Sequence, residues 1–219
     1  MTILAPSMLS ADFKELGKEI QVIEENGAKY LHFDVMDGIF VPSISFGMPV
    51  LKSIRPGTNL VCDVHLMITE PIRYVEDFAK AGADLITIHL EACEDVDTTI
   101  SKIKACGCKV GLSIKPNTPV SALQPYLDMV DMILIMSVEP GFGGQKFIPS
   151  SLEKISETKA MIDAKGLSID IQVDGGIYTH NVEAVLKAGA NIIVAGSAVF
   201  NGDTKQNTID MMEILNKYE

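Results

Sequence analysis

Positive charge is scarce in this 219-residue chain: 18 Lys and Arg stand against 29 Asp and Glu, a formal net charge of -11. A surface that tracks nucleic-acid phosphates needs Lys and Arg clustered on one face, so no nucleic-acid partner is expected. Long apolar runs are missing too. No uninterrupted stretch approaches the roughly 20 residues of a bilayer span, and no membrane partner is expected either. Cysteine is limited to Cys62, Cys93, Cys106 and Cys108, with no Cys-x-x-Cys pair. The first 25 residues hold neither a basic leader nor an apolar run of signal-peptide length. These absences point to a reduced, cytoplasmic protein. No linker or low-complexity segment interrupts the chain, so residues 1–219 are expected to form a single domain. This length and a hydrophobic content of 47% suffice for one buried core.

What is present is alternation. Short apolar, β-branched runs recur at residues 3–5, 30–35, 60–66, 85–89, 109–114, 132–137, 169–173 and 192–195, eight expected strands. Between them lie segments of helical period, such as Leu16, Ile20 and Ile23, or Tyr74, Val75 and Phe78, or Leu152, Ile155, Met161 and Ile162. Asn26-Gly27-Ala28, Ala81-Gly82-Ala83 and Ala188-Gly189-Ala190 each follow an amphipathic run and precede an apolar one, where glycine ends a helix in a left-handed turn. Ser10, Asp12 and Glu15, and likewise Thr69-Glu70-Pro71, suit helix starts. Eight such units with parallel strands predict a (β/α)8 TIM barrel; an open doubly wound sheet has five or six strands more often.

His32 and Asp34 lie two apart on the second strand, so they share one face at a spacing of about 6.6 Å, and Leu31, Phe33 and Val35 take the other. Such a pair is more often a buried histidine bonded to its neighbour than a metal site. The other polar residues tip the balance. Function in a barrel sits at the C-terminal strand ends. There Ser7 ends the first strand, His32 and Asp34 the second, His65 the third, His89 the fourth, Ser137 the sixth, Asp174 the seventh and Gly196-Ser197 the eighth. His32, Asp34, His65 and Asp174 make a nitrogen and oxygen set suited to one divalent ion. Zn2+ leads the expectation, Fe2+, Mn2+ or Co2+ also fit, and the ligands do not choose among them. His89 could join the set or stand behind it. His180, in Tyr178-Thr179-His180-Asn181, reads as a solvated neighbour of a helix start.

Three glycine-rich loops follow the last three strands: Pro140 to Gln145, Asp174-Gly175-Gly176 and Ala195-Gly196-Ser197. Barrels commonly bind phosphate there, and backbone N–H groups let an acidic chain hold an anion without a lysine cluster. A metal beside two carboxylates and facing a phosphate site suits proton abstraction next to a carbonyl of a sugar phosphate. Inverting a carbon needs proton carriers on opposite faces, and Asp34 and Asp174 stand three strands apart around the ring. Met36, Met67 and Met136, at or just past the strand ends, could form a soft lid or fill core gaps.

Six stretches resemble one family. They are Ala5 to Phe13, His32 to Gly38, Asp63 to Met67, Met136 to Phe147, Val173 to Ile177 and Ala195 to Ser197, and together they are similar to the signatures of the ribulose-phosphate 3-epimerases. The resemblance spans nearly the whole chain and implies a ribulose-phosphate binding barrel. Its implied reaction is a metal-dependent conversion of D-ribulose 5-phosphate to D-xylulose 5-phosphate through an enediolate. It assigns the ion to His32, Asp34, His65 and Asp174, with Asp34 as proton acceptor and Asp174 as proton donor. Substrate contacts fall on Ser7, His65, Gly141, Phe142, Gly143, Gly144, Asp174, Gly175, Gly176, Gly196 and Ser197, and dimers or hexamers are implied. After its Met-Asp-Gly the family has His-Phe-Val-Pro-Asn, whereas Ile39-Phe40-Val41-Pro42-Ser43 stands here. That departure keeps D-allulose-6-phosphate 3-epimerase as the alternative. The Asp-x-Lys-x-x-Asp motif of phosphate-binding decarboxylase barrels is not matched, because Asp34-Val35-Met36-Asp37 carries no lysine.

Overall fold

A computed structural model describes residues 1–218. Eight parallel strands form one sheet: β1 (Ile3–Pro6), β2 (Tyr30–Met36), β3 (Val61–Met67), β4 (Leu85–His89), β5 (Lys109–Ile114), β6 (Met132–Met136), β7 (Asp170–Asp174) and β8 (Ile192–Ala195). From β2 to β8 each strand pairs with the next in sequence, and β8 pairs with β1. The seam between β1 and β2 closes through Lys29 N–H to the Leu4 carbonyl at 3.3 Å and a bridge between Ser7 and His32. The (β/α)8 expectation is met, with strand ends displaced by one residue at most.

Helices wrap the outside: α1 (Leu16–Glu25), α2 (Met48–Ile54), α3 (Val75–Ala81), α4 (Val96–Ala105), α5 (Ser151–Ala164), α6 (Val182–Ala188), α7 (Ser197–Phe200) and α8 (Thr204–Leu215). None is long and apolar enough to cross a membrane. The outward residues of β2, Leu31, Phe33 and Val35, join the large apolar cluster shared with the helices. The inward residues Ala5, Tyr30, Leu85, Met132, Ile192 and Val194 pack the lower barrel. Strands buried on both faces explain the near-continuous apolar runs in the sequence. The three glycine repeats end helices as expected: Gly27, Gly82 and Gly189 have φ of 106, 112 and 119°.

Two local expectations need correction. Of the residues read as a helix start, Glu15 is the N-cap of α1, which begins at Leu16, while Ser10 closes a 3-10 turn (Met8–Ser10) and Asp12 Oδ1 accepts from Lys14 N–H at 3.0 Å. Thr69-Glu70-Pro71 opens a 3-10 turn (Pro71–Arg73) with Glu70 at φ 51°, and α3 starts later, at Val75. The segment after β5 is a 3-10 stretch (Val120–Met129), because Pro125 lacks the N–H and crowds the preceding turn of an α-helix.

Phe33 is fully buried between the two ligand-bearing positions of β2, with its ring edge-on to Phe46 at 4.6 Å. Phe33→Ala should cost about 3–5 kcal/mol. Urea unfolding should show a lower midpoint with an unchanged slope.

Candidate active site

The register of β2 on β3 sets His32 opposite Asp63 and Asp34 opposite His65, so all four side chains enter the barrel. Asp174 ends β7, opposite Met136 of β6 and Val194 of β8. One donor atom from each of His32, Asp34, His65 and Asp174 lies within 4.8 Å of every other. His32 Nε2 stands 3.3 Å from His65 Nδ1 and 3.2 Å from Asp34 Oδ1. His65 Nδ1 stands 3.1 Å from the same Asp34 oxygen, and Asp174 Oδ2 lies 3.9 Å from His32 Nε2 and 4.0 Å from His65 Nδ1.

Each imidazole has its second nitrogen engaged elsewhere. His32 Nδ1 lies 2.7 Å from Asp63 Oδ2, which also accepts from Gln172 Nε2 at 2.6 Å. A carboxylate can only accept, so His32 donates to Asp63 from Nδ1, and Nε2 is the nitrogen left for the cluster. His65 Nε2 lies 2.8 Å from His89 Nε2. His89 is therefore not in the donor set; it stands behind His65.

Charge at the cluster is divided unequally. Burial disfavours a cation on His32, but the Asp34 and Asp63 carboxylates outweigh it and hold the pKa well above its ordinary value. Burial also opposes ionisation of Asp34, and there His32 and His65 prevail and push the carboxyl far below the usual range. Asp174 goes the other way: burial, then the Asp34 charge, push it up to about 6. Burial and then the nearby His65 bring His89 down to about 4. Two carboxylates and two convergent ring nitrogens favouring positive charge at their centre suit a divalent cation. The donor set fits the group expected from the sequence.

Above the cluster opens a cavity of about 570 Å3, counting its mouth, within the usual range for small-ligand sites. Ser7, Asp34, Asp174, Met36, Met67 and Met136 line it near the cluster. Gly141, Phe142, Gly143, Gly144, Gly175, Gly176, Gly196 and Ser197 line the other side. His32 and His65 lie fully buried beneath. Ser7 Oγ donates to Asp34 Oδ2 at 2.5 Å, and Ser137 Oγ lies within 2.9 Å of the Asp174 carbonyl and 2.7 Å of the Gly175 carbonyl. The loops after β6 and β7 touch so closely that a Cβ on Gly176 would stand 2.4 Å from Phe147 N. His180 is exposed and stacks on Tyr178 beside the α6 start.

Sequence reasoning missed three contributors. Asp63 and Gln172 hold His32 from below; the Asp63-x-His65 spacing on one strand face was the available signal for the first, and none marked the second. Ser10 lines the cavity, its Oγ only 2.6 Å from where a Cβ on Gly196 would stand. Ile39 and Ser43, the two departures from the family pattern, do not line the cavity: Ile39 is 77% exposed, and the Ser43 carbonyl accepts from Gly38 N–H at 2.9 Å.

Comparison with known proteins agrees with this geometry. Residues 3–200 match the model of the ribulose-phosphate 3 epimerase family. The chain is 53% identical over 201 residues to a ribulose-phosphate 3-epimerase of Synechocystis, covering 91% of this chain and 87% of the relative. It is 50% identical over 210 residues to the Bacillus subtilis enzyme of that name, covering 95% and 97%. A solved 3-keto-L-gulonate-6-phosphate decarboxylase from Vibrio cholerae shares the fold at a TM-score of 0.73 and 13% identity, covering 100% of this chain and 98% of that one. With the family model spanning most of the barrel and about half of all positions identical to named epimerases, this chain belongs to the ribulose-phosphate 3-epimerase family, enzymes that epimerise carbohydrates.

Proposed function

We propose that this chain inverts C3 of D-ribulose 5-phosphate to give D-xylulose 5-phosphate through an enediolate, with Asp34 and Asp174 as the two proton carriers. The observation that carries this reading is the opposed protonation bias of two carboxylates converging below one open cavity. Asp34, held ionised by its histidines, takes the C3 proton; Asp174, pushed up to about 6, carries one to the opposite face. One turnover exchanges their protonation states, so the reverse reaction starts from the product state of the pair. Ser7 holds Asp34 Oδ2, leaving Oδ1 turned to the histidine nitrogens.

His32, Asp34, His65 and Asp174 would hold one divalent ion, with Zn2+ first and Fe2+, Mn2+ or Co2+ compatible. When bound, that ion supplies Lewis-acid neutralisation of charge developing on the substrate oxygens. Met36, Met67 and Met136, all at most 5% exposed and on the cavity wall, keep water from the reacting carbon. The loops carrying Gly141 to Gly144, Gly175, Gly176, Gly196 and Ser197 take the phosphate through backbone donors, and Phe142 rims the mouth. The same reading places all of residues 1–219 in one barrel domain that assembles as dimers or hexamers in the cytoplasm. Its four cysteines are free thiols, as a reducing compartment maintains.

Chelation, or Asp34→Asn or Asp174→Asn, should abolish exchange of the C3 proton with solvent; exchange retained in Asp174→Asn would remove the two-aspartate scheme. Ribulose 5-phosphate should exceed allulose 6-phosphate in kcat/KM. A tenfold advantage for the hexulose, about 1.4 kcal/mol in the transition state, would reassign the substrate. For stability, Asp174 is easier to protonate in the folded chain than at its ordinary value of 3.8. Its favourable contribution is present below that value and is lost as pH rises through about 6. Metal-free Asp174→Asn should therefore gain on metal-free wild type between pH of about 4 and 7, by up to about 3 kcal/mol. Urea midpoints across that range check it, and a constant difference would count against the buried, proton-holding Asp174.

A further inference from the structure

The mechanism leaves His89 and Glu91 unused, although both are anchored with care. His89 ends β4, is fully buried, and meets His65 nitrogen to nitrogen at 2.8 Å. Its ring lies between the His65 ring, 5.0 Å away at 24°, and the Phe40 ring, 5.0 Å away at 51°. On its far side Nδ1 stands 3.5 Å from Glu91 Oε2, an electrostatic contact without hydrogen-bond geometry. Glu91 Oε1 accepts from Lys115 N–H at 2.7 Å and from the Thr118 hydroxyl. Lys154 Nζ donates to the carbonyls of Lys115, Pro116 and Thr118 at 3.0, 2.9 and 2.7 Å, fixing that loop against α5.

Two facing imidazole nitrogens at hydrogen-bond distance need one donor and one acceptor. Glu91 favours the proton of His89 on Nδ1, which leaves His89 Nε2 as the acceptor. His65 must then carry its own proton on Nε2, and its Nδ1 lone pair is turned to the cluster. We propose that His89, oriented by Glu91, is the positioning residue that fixes the tautomer and ring orientation of His65 and so sets the affinity of the four-residue cluster for its ion. His32 receives the corresponding support from Asp63, a charged acceptor at 2.7 Å; His65 receives it from a neutral ring, with the carboxylate one residue further back. The two ligand histidines are thus supported unequally. This inference rests on the metal reading above.

The test compares wild type, His89→Phe and His89→Gln by Zn2+ titration in competition with a chromophoric chelator, alongside the thermal midpoint of each metal-free protein. His89→Phe keeps ring volume and removes the acceptor; His89→Gln offers an amide oxygen in its place. Expected is an affinity loss of about 10–100-fold for His89→Phe, recovery to within a few-fold in His89→Gln, and a metal-free midpoint that does not fall in step with affinity. Equal affinity in all three, or a loss in both variants that follows metal-free stability, overturns the proposal while leaving the metal site intact. Wild type that binds no Zn2+ overturns the metal reading and this inference together. Nitrogen-15 NMR of metal-free wild type reads the tautomer without the ion's own influence: a proton on His65 Nε2 supports the proposal, and an unprotonated Nε2 overturns it even where His89→Phe fails to fold.

Discussion

The contact on which the site depends is the buried hydrogen bond from His32 Nδ1 to Asp63 Oδ2 at 2.7 Å, deep inside the barrel. A carboxylate with no solvent exposure is costly unless its lone pairs are occupied. Asp63 meets that requirement with His32 and with Gln172, which reaches across from β7. The bond also has a direction. Because Asp63 can only accept, His32 donates to it from Nδ1 and turns Nε2 upward, toward Asp34, His65 and Asp174. A barrel interior is usually filled by layers of branched apolar side chains. Here polar groups are set into the upper interior among Met36, Met67 and Met136, above an apolar lower layer.

The division of labour between Asp34 and Asp174 follows from where the positive groups lie. Asp34 Oδ1 is within 3.2 Å of both ligand histidines, so the histidines overcome its burial. Asp174 Oδ2 is 3.9 and 4.0 Å from the same nitrogens and feels the Asp34 charge besides. Two residues of one chemical type thereby acquire opposite protonation preferences, which is what an inversion with two proton carriers requires. Their distances from the histidines and their hydrogen bonds separate them, although both are acidic side chains at the same end of parallel strands.

The other half of the mouth has a different physical basis. Its loops after β6 and β7 pack backbone to backbone, and at Gly176 no side chain could be accommodated without displacing Phe147. Glycine there is a requirement of loop packing, and the backbone it exposes is what a phosphate can use. Ile39 and Ser43 lie off this wall, so the two residues that depart from the family pattern leave the cavity lining unaltered.

Strand and helix periodicity, the glycine-ended repeats and the clustering of His32, His65, His89 and Asp174 at one end of the strands were legible from local residue order. They depend on side-chain alternation and turn chemistry within a few residues. Helix starts at Ser10 and Pro71 were misread because capping residues also favour 3-10 and Asx turns, and the choice is made by packing. The donor set itself was legible because one rim collects the ends of all eight strands. What only the tertiary structure decided is what stands behind the ligands: Asp63 and Gln172 behind His32, and His89 and Glu91 behind His65. Those pairings depend on the β2–β3 and β3–β4 registers and on contact across the barrel between residues as far apart as 63 and 172. No periodicity within one strand encodes its register against another, so the tautomers of the ligand histidines were set by the closed barrel.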